Sequence, residues 1–474
     1  MAPTQKIALK FHTARDEVSS SLRFSTQPIA PLDAIASAST IPRMSSVPST
    51  NEYAFETAAT AIRFGFGVTR EVGAELADLG KKRVLVFTDP TIRNLPPATA
   101  VFESLQDNKI EFSVFDRVRV EPSDQSFLEA TAAAASEDFD AFVAVGGGST
   151  IDTAKAANLY SCYPADLLDY VNPPIGRGRP VPGPLKTLIA IPTTAGTGSE
   201  TTGVAIFDFE PMHAKTGIAH RRLKPTLGLV DPLNTRTLPP QVAAASGLDV
   251  LSHAIESYTA IPFAQRARPE RPLLRPAYQG SNPISDLWSL EALRLAGTFL
   301  RRAVRDPGDD EARSSMILAA SYAGIGFGNA GVHLPHGMSY PVAGMVRKYL
   351  PPGYASDHPL VPHGVSVIVN APAVFRFTTA ACPERHLKAA ETLGAKVSGA
   401  KLEDAGKILA DEIVKMMRDL NIPTGLRHLG YQTEDIPALV EGTLPQHRVT
   451  KLSPRPASRD DLARLFEESM TVYS

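Results

Sequence analysis

Twice in the first half of the chain a short apolar run ends abruptly in a turn rich in glycine and threonine. AFVAVGGGST (141–150) is one and LKTLIAIPTTAGTGSE (185–200) is the other. Apolar runs of this length, bounded by turn residues, read as strands buried on both faces. KKRVLVFTDP (81–90) is a third such run, stopped by Asp-Pro, and EFSVFDRV (111–118) alternates like a strand. TLGLVDP (226–232) reads as the last strand of this half. Between the strands, SFLEATAAAASEDFD (126–140) and IDTAKAANLYS (151–161) read as helices. An order of β-α-β-α with buried strands predicts a parallel sheet covered by helices on both faces.

Beyond about residue 237 the texture changes. QVAAASGLDVLSHAIESYTA (241–260), SDLWSLEALRLAGTFLRRAV (285–304), SSMILAASYAGIGFGNAG (314–331) and AGKILADEIVKMMRDL (405–420) are long and rich in Ala and Leu, and predict helices. A Pro- and Arg-rich insert, 261–283, interrupts them. The expected organisation is a tail over 1–50, an α/β domain over 51–236 and a helical domain over 237–474. In the tail Lys6, Lys10, Arg15, Arg23 and Arg43 outnumber Asp16, Glu17 and Asp33. That balance fits a mitochondrial transit segment, and a plain disordered tail fits as well.

Composition narrows the function. The net charge is -2, without the basic excess of a nucleic-acid protein. No apolar run approaches the roughly 18 residues of a membrane span, and no secretory apolar segment is present. Only two cysteines occur, Cys162 and Cys382, so disulfide scaffolds and CxxC zinc sites are excluded. Any metal must rest on carboxylates and on the 11 histidines.

Gly146, Gly147 and Gly148 lie between a strand and a helix. Glycine there lets the backbone approach a pyrophosphate, and the helix N-terminus offers free N–H groups and a positive dipole end. TTAGTGS (193–199) is a second loop of this kind. Asp89 ends an earlier strand, where an acid can bond ribose hydroxyls; it would repel a 2′-phosphate, which favours NAD over NADP. A turn Asp before Pro90 is the competing reading. Asp249 and His253, four residues apart, share one face of a predicted helix. His333, His336 and His363 follow, the last two each before a glycine. One carboxylate and two or three histidines suit a divalent metal such as Fe(II) or Zn(II). An acid within an apolar helix is hard to explain unless paired.

Taken together, VGGGSTIDTAKAANL, IPTTAGTGSETTGVAIF, the stretch from Lys215 to Asp231, GLDVLSHAIESY, HLPHGMSYP and VPHGVSVIV resemble the iron-containing alcohol dehydrogenase family, in order and over about 51–470. The resemblance implies a dinucleotide-binding α/β domain followed by an all-α domain, a fold shared with dehydroquinate synthase, with the active site in the cleft. It implies metal ligands and catalytic residues Asp249, His253, His336 and His363. It implies cofactor contacts from Asp89, Gly147, Gly148, Ser149, Asp152, Thr193, Thr194, Thr197 and Lys215. His333 matches no ligand.

Further segments, among them NLYSCYPADLLDYV, RPAYQGSNPISDLW and VEGTLPQHRVTKLSP, resemble a mitochondrial branch of the family. That branch implies hydride transfer from a hydroxy acid such as 4-hydroxybutyrate to a 2-oxo acid such as 2-oxoglutarate, through bound NAD and a metal, Fe(II) first and Zn(II) second. The alternative is a conventional NAD-dependent dehydrogenase that releases NADH. A homo-oligomer is expected from the family. Many members read HGMAH where this chain reads HGMSY, so Tyr340 stands at the place of a second histidine. A phenol with a pKa near 10 is a poor base at neutral pH, and proton release needs another route. Both acids carry carboxylates, so the pocket should hold a cation. Arg266, Arg268, Arg271 and Arg275 of the insert are the candidates, because guanidinium pairs carboxylate through two hydrogen bonds.

Overall fold

Buried strands can satisfy their backbone only by pairing, and the apolar runs pair in parallel. In the computed structural model, which describes residues 50–474 apart from 213, 355 and 357, eight strands occur. They are β1 (Ala61–Phe64), β2 (Arg83–Phe87), β3 (Glu111–Phe115), β4 (Ala141–Gly146), β5 (Thr187–Pro192), β6 (Val204–Phe209), β7 (Ala214–Ala219) and β8 (Leu227–Val230). Six form a parallel sheet in the order β1-β8-β5-β4-β2-β3. The tail expected over 1–50 lies, but for its last residue, outside the described residues.

Alternate side chains of each central strand enter different cores, because successive Cβ atoms point to opposite faces. Val84, Val86, Val143, Val145, Ile189 and Ile191 pack against Leu76, Val101 and Leu105 of the helices Val72–Asp78 and Pro96–Asp107. Leu85, Phe87, Phe142, Ala144, Leu188 and Ala190 pack on the other face. There they meet Ala130 and Ala134 of helix Asp124–Ala135, and Ile151 and Ala154 of helix Gly148–Cys162. Full burial of each branched or aromatic side chain contributes about 1.5–3 kcal/mol. This is the expected doubly covered sheet.

The chain runs outward from β2 to β3 and then returns to lay β4 on the other side of β2. Neighbouring loops at the C-terminal ends of β2 and β4 therefore diverge, and in open parallel sheets a crevice for ligands forms at that reversal. Asp89 follows β2 and the three glycines close β4.

TLGLVDP forms β8, the last strand in the chain order of this half, and lies between β5 and β1. Two features had no counterpart in the expected pattern: β1, which pairs with β8, and the β6–β7 pair. β6 and β7 form a separate antiparallel hairpin, with Asp208 opposite Lys215. Its strands join apolar residues to Asp and Lys, a pattern that tertiary packing stabilises and local periodicity does not announce.

The later part is helical, among the described residues. Helix Pro240–Thr259 is buried on nearly every side. It packs against Pro283–Arg305, Asp310–Ala330 and the short helix His363–Ile368. A helix buried all round must find a partner for each polar side chain it carries. No described helix is long and apolar enough to cross a membrane.

Candidate active site

Helix Pro240–Thr259 presents Asp249, His253 and Glu256 on one buried face, at i, i+4 and i+7. His336 stands in the first turn of helix Leu334–Gly344, and His363 opens helix His363–Ile368. Close approach brings His363 in. A Cβ on Gly364 would sit 1.9 Å from the Ala245 carbonyl oxygen and 3.1 Å from the Asp249 Cβ, so only glycine allows the two helices to touch there.

The result is a tight cluster. Asp249 Oδ1 lies 3.6 Å from His253 Nε2, 3.6 Å from His336 Nε2 and 3.7 Å from His363 Nε2. One ligand atom from each of the four residues lies within 4.8 Å of the others. The His253 ring stacks on Phe327 with centroids 3.8 Å apart, which fixes its orientation. Glu256 Oε1 pairs with His336 Nδ1 at 2.6 Å, and Glu256 Oε2 accepts from the His333 N–H at 2.7 Å. The carboxylate holds a proton on Nδ1 and leaves Nε2 facing the cluster, as an acid behind a ligating histidine does.

Asp249 Oδ1 and His336 Nε2 are buried without a hydrogen-bond partner. Unpaired buried polar atoms are costly, and here they converge on one point. An oxygen and three imidazole nitrogens, with no thiol, fit a divalent transition metal such as iron or zinc. Burial pushes the Asp249 carboxyl up, but the imidazoles of His253, His363 and His336 outweigh it and hold the group well below the usual carboxylate range. Burial pushes the His253 imidazole down to about 3, so it presents a neutral ring at physiological pH. His333 stands apart from the cluster, with Nε2 3.0 Å from Thr259 Oγ1.

Two cavities meet at this cluster. One, of about 250 Å³, is lined by Asp89, Gly147, Gly148, Ser149, Thr193, Thr194 and Thr197 from the α/β part. Val242, Asp249, Tyr354 and His363 close it from the helical part. Asp89 Oδ1 accepts from the N–H groups of Thr91 and Ile92, both at 2.9 Å, so it also makes the turn that the competing reading foresees. The glycines open this cavity to the N-terminus of helix Gly148–Cys162, where first-turn N–H groups lack helical acceptors. That cradle fits a pyrophosphate.

The second cavity is lined by all four cluster residues together with Glu121, Lys215, Tyr278, Tyr340 and Arg448. Asp152 and Lys215 border this cavity and not the first. Asp152 accepts from Ser199 Oγ at 2.5 Å and from the Ile206 N–H at 2.9 Å, which ties the glycine-loop helix to β6. Lys155 is fully buried and reinforces the tie through Ser199 Oγ at 2.6 Å and the Val204 carbonyl at 2.8 Å. Lys215 Nζ donates to Glu121 Oε2 at 2.6 Å and forms an ion pair with Asp208 at 3.0 Å.

The insert arginines do not reach either cavity, which corrects the expected cation. Arg275 pairs with both oxygens of Glu52, at 2.9 and 3.0 Å. Arg266 donates to the Tyr278 carbonyl, Arg268 lies over the Tyr53 ring, and Arg271 is exposed. The reason is local: the insert folds back on residues 50–56, whose acids and aromatic rings consume its charge.

A parallel sheet with a phosphate cradle at its reversal, joined to a helical part that carries an Asp-His₃ cluster, defines a metal- and dinucleotide-dependent oxidoreductase. The chain belongs to the iron-containing alcohol dehydrogenase family. Residues 59–232 match the family described as Iron-containing alcohol dehydrogenase, and 277–470 match the Fe-containing alcohol dehydrogenase family, C-terminal. The chain is 60% identical over 437 residues to the protein named "Hydroxyacid-oxoacid transhydrogenase, mitochondrial" of Rattus norvegicus, covering 92% of this chain and 94% of that one. It is 57% identical over 434 residues to the Homo sapiens protein of the same name, covering 91% and 93%. Among solved structures, a 1,3-propanediol oxidoreductase superposes with a TM-score of 0.77 at 28% identity, over 88% of this chain and 100% of that one. A sulfoacetaldehyde reductase from Bifidobacterium kashiwanohense, in complex with NAD+, superposes at 0.73 with 25% identity, over 88% and 99%.

Proposed function

We propose that this chain is a hydroxyacid-oxoacid transhydrogenase. It moves hydride from a hydroxy acid of the 4-hydroxybutyrate type to an oxo acid of the 2-oxoglutarate type, using bound NAD and a divalent metal. The observation that carries the reading is the meeting of a phosphate-cradling cavity with an acid-sized one at Asp249 and His363. The identity of 60% and 57% to the rat and human proteins named hydroxyacid-oxoacid transhydrogenase supports a hydroxy acid and an oxo acid as the substrate classes.

Asp249, His253, His336 and His363 hold the metal, iron or zinc. Asp89, Gly147, Gly148, Ser149, Thr193, Thr194 and Thr197 hold the dinucleotide. Asp152 and Lys215 act beside them, keeping β6, β7 and the glycine loop in place around the cluster. The chemistry supplied by these groups when bound is Lewis acidity toward a hydroxyl or carbonyl oxygen and exchange of hydride. The protein orients the ligating imidazoles through Glu256 and Phe327 and keeps bulk water out of the buried cluster. At the place of the family's second histidine, the Tyr340 hydroxyl accepts a hydrogen bond from Arg448 Nη2 at 2.6 Å, so no imidazole stands there to take a proton.

We also assign the α/β and helical domains to 51–236 and 237–474, expect a homo-oligomer, and read the basic tail as a mitochondrial transit segment, as the rat and human names support. A native protein beginning at Met1 or Ala2 would argue against cleavage of that segment.

One assay tests the activity. Purified enzyme receives 4-hydroxybutyrate and 2-oxoglutarate without added NAD. Formation of 2-hydroxyglutarate is the expected result. Strict dependence on added NAD, with free NADH accumulating, would assign the chain to conventional dehydrogenases instead.

A further inference from the structure

We propose that Arg448 is the receptor for the substrate carboxylate, and that it serves both acids in turn. The inference rests on the transhydrogenase reading for the identity of the acids, and on geometry for the residue.

Two cationic side chains line the cavity that contains the cluster, Lys215 and Arg448. Lys215 is neutralised by Glu121 and Asp208. Arg448 forms no ion pair with any described acid. Its Nη2 donates to Tyr340 Oη at 2.6 Å, and its guanidinium carbon lies 5.0 Å from the Tyr278 ring centroid. Its Nη1 is buried with no hydrogen-bond partner. A buried guanidinium nitrogen left unpaired is expensive, and a carboxylate is the group whose two oxygens match the guanidinium. On its other side Arg448 borders a space of about 10 Å³, which holds no more than one water molecule. That space has no room for an organic anion, whereas the cavity on the side of the cluster has.

Helix packing puts the arginine there. It lies in the short turn His447–Thr450, which seats against helix Leu334–Gly344. A Cβ on Gly337 would sit 2.7 Å from Thr450 Cγ2, so the glycine after His336 lets the turn bearing Arg448 close on the helix bearing a cluster histidine.

The two acids share one feature. In 4-hydroxybutyrate the hydroxyl carbon and the carboxylate carbon are separated by two methylenes. In 2-oxoglutarate two methylenes separate the carbonyl carbon from the distal carboxylate. A single guanidinium at a fixed distance from the cluster holds either acid with its reacting carbon in the same place. The extra carboxylate of the oxo acid is next to the carbonyl, toward the cluster. Tyr340 and Arg448 then act as a pair: the tyrosine that replaces a histidine braces the arginine.

The test uses full-length, metal-loaded enzyme and the variants Arg448→Met and Arg448→Lys, each checked for its thermal midpoint. KM for 4-hydroxybutyrate and for 2-oxoglutarate rises about 10- to 100-fold, the scale of a lost charge-assisted hydrogen bond. With uncharged partners on both sides, 1,4-butanediol as hydride donor and an aldehyde such as butanal as acceptor, turnover is not lowered in proportion. Calorimetry with glutarate, the unreactive dicarboxylate, shows binding to wild type and none to Arg448→Met. On the wild type alone, glutaramide in place of glutarate does not bind, which keeps the test decisive even if a variant fails to fold. Equal binding of glutarate and glutaramide, or unchanged KM values for both acids in a folded variant, would overturn the proposal. A wild type that binds glutarate through Arg448 but makes no 2-hydroxyglutarate would leave the receptor standing and remove the transhydrogenase reading.

Discussion

Asp249 is an acid in the middle of a helix with almost no exposed surface, and three imidazoles face it without a hydrogen bond to satisfy them all. Removing the carboxylate leaves the three rings no shared anion. Asp249→Ala is expected to lose bound metal, measured by elemental analysis, and to lose activity; full activity without metal loss would refute the cluster's role. Glu256→Gln keeps the shape but weakens the hold on His336 Nδ1. Metal affinity, measured by competition with a chelator, should fall about 10- to 100-fold, with the fold intact. Of these residues, Asp249 and His253 were legible as a pair because four residues is one helical turn. His333, His336 and His363 were legible as candidate ligands from residue type, but only the resemblance separated His336 and His363 from His333, since lone histidines before glycine carry little signal. Glu256 lies on the same helical face as Asp249 and His253, and that spacing could have exposed it. Arg448 had no local pattern at all; its importance comes from what it lacks, a partner acid, which only packing reveals.

At the level of elements, β2, β4, β5 and β8 were legible because each is an apolar run that ends at a turn residue, and β3 because it alternates; β1, whose four residues AIRF are exposed or half-buried, was not. The hairpin β6–β7 was not, since it is held by the pairing of Asp208 and Lys215 and by Asp152 rather than by its own periodicity. The insert was legible as a loop, but the destination of its arginines was not, because Glu52 and Tyr53 lie more than 200 residues earlier in the chain. Helix contacts make the sharper prediction. Gly364→Ala forces a Cβ into the Ala245 carbonyl, 1.9 Å away. Overpacking of this kind costs about 1–3 kcal/mol. The thermal midpoint should fall, and metal content should fall with it, since the same contact positions His363. A variant that loses stability but keeps full metal content would separate the packing from the site.

On the scale of the whole molecule, the two cavities share Glu121, Gly148, Ser149 and Thr197 from one part and Asp249 and His363 from the other. Ligands seated there touch both parts. A ligand that binds only the folded state at 100 times its dissociation constant adds about 2.7 kcal/mol. NAD added to wild-type protein stripped of its nucleotide should therefore raise the thermal midpoint. In Asp249→Ala the rise due to metal should vanish while that due to NAD persists; loss of both would mean that the cradle depends on the cluster for its shape.

The wall common to the two cavities also governs timing. With one guanidinium and one cluster for both acids, the hydroxy acid and the oxo acid cannot be seated together. The first product must leave before the second acid enters, so the enzyme alternates between two half-reactions. Reciprocal plots of rate against one acid, at several fixed levels of the other, should be parallel. Each acid in excess should inhibit by occupying the form meant for its counterpart.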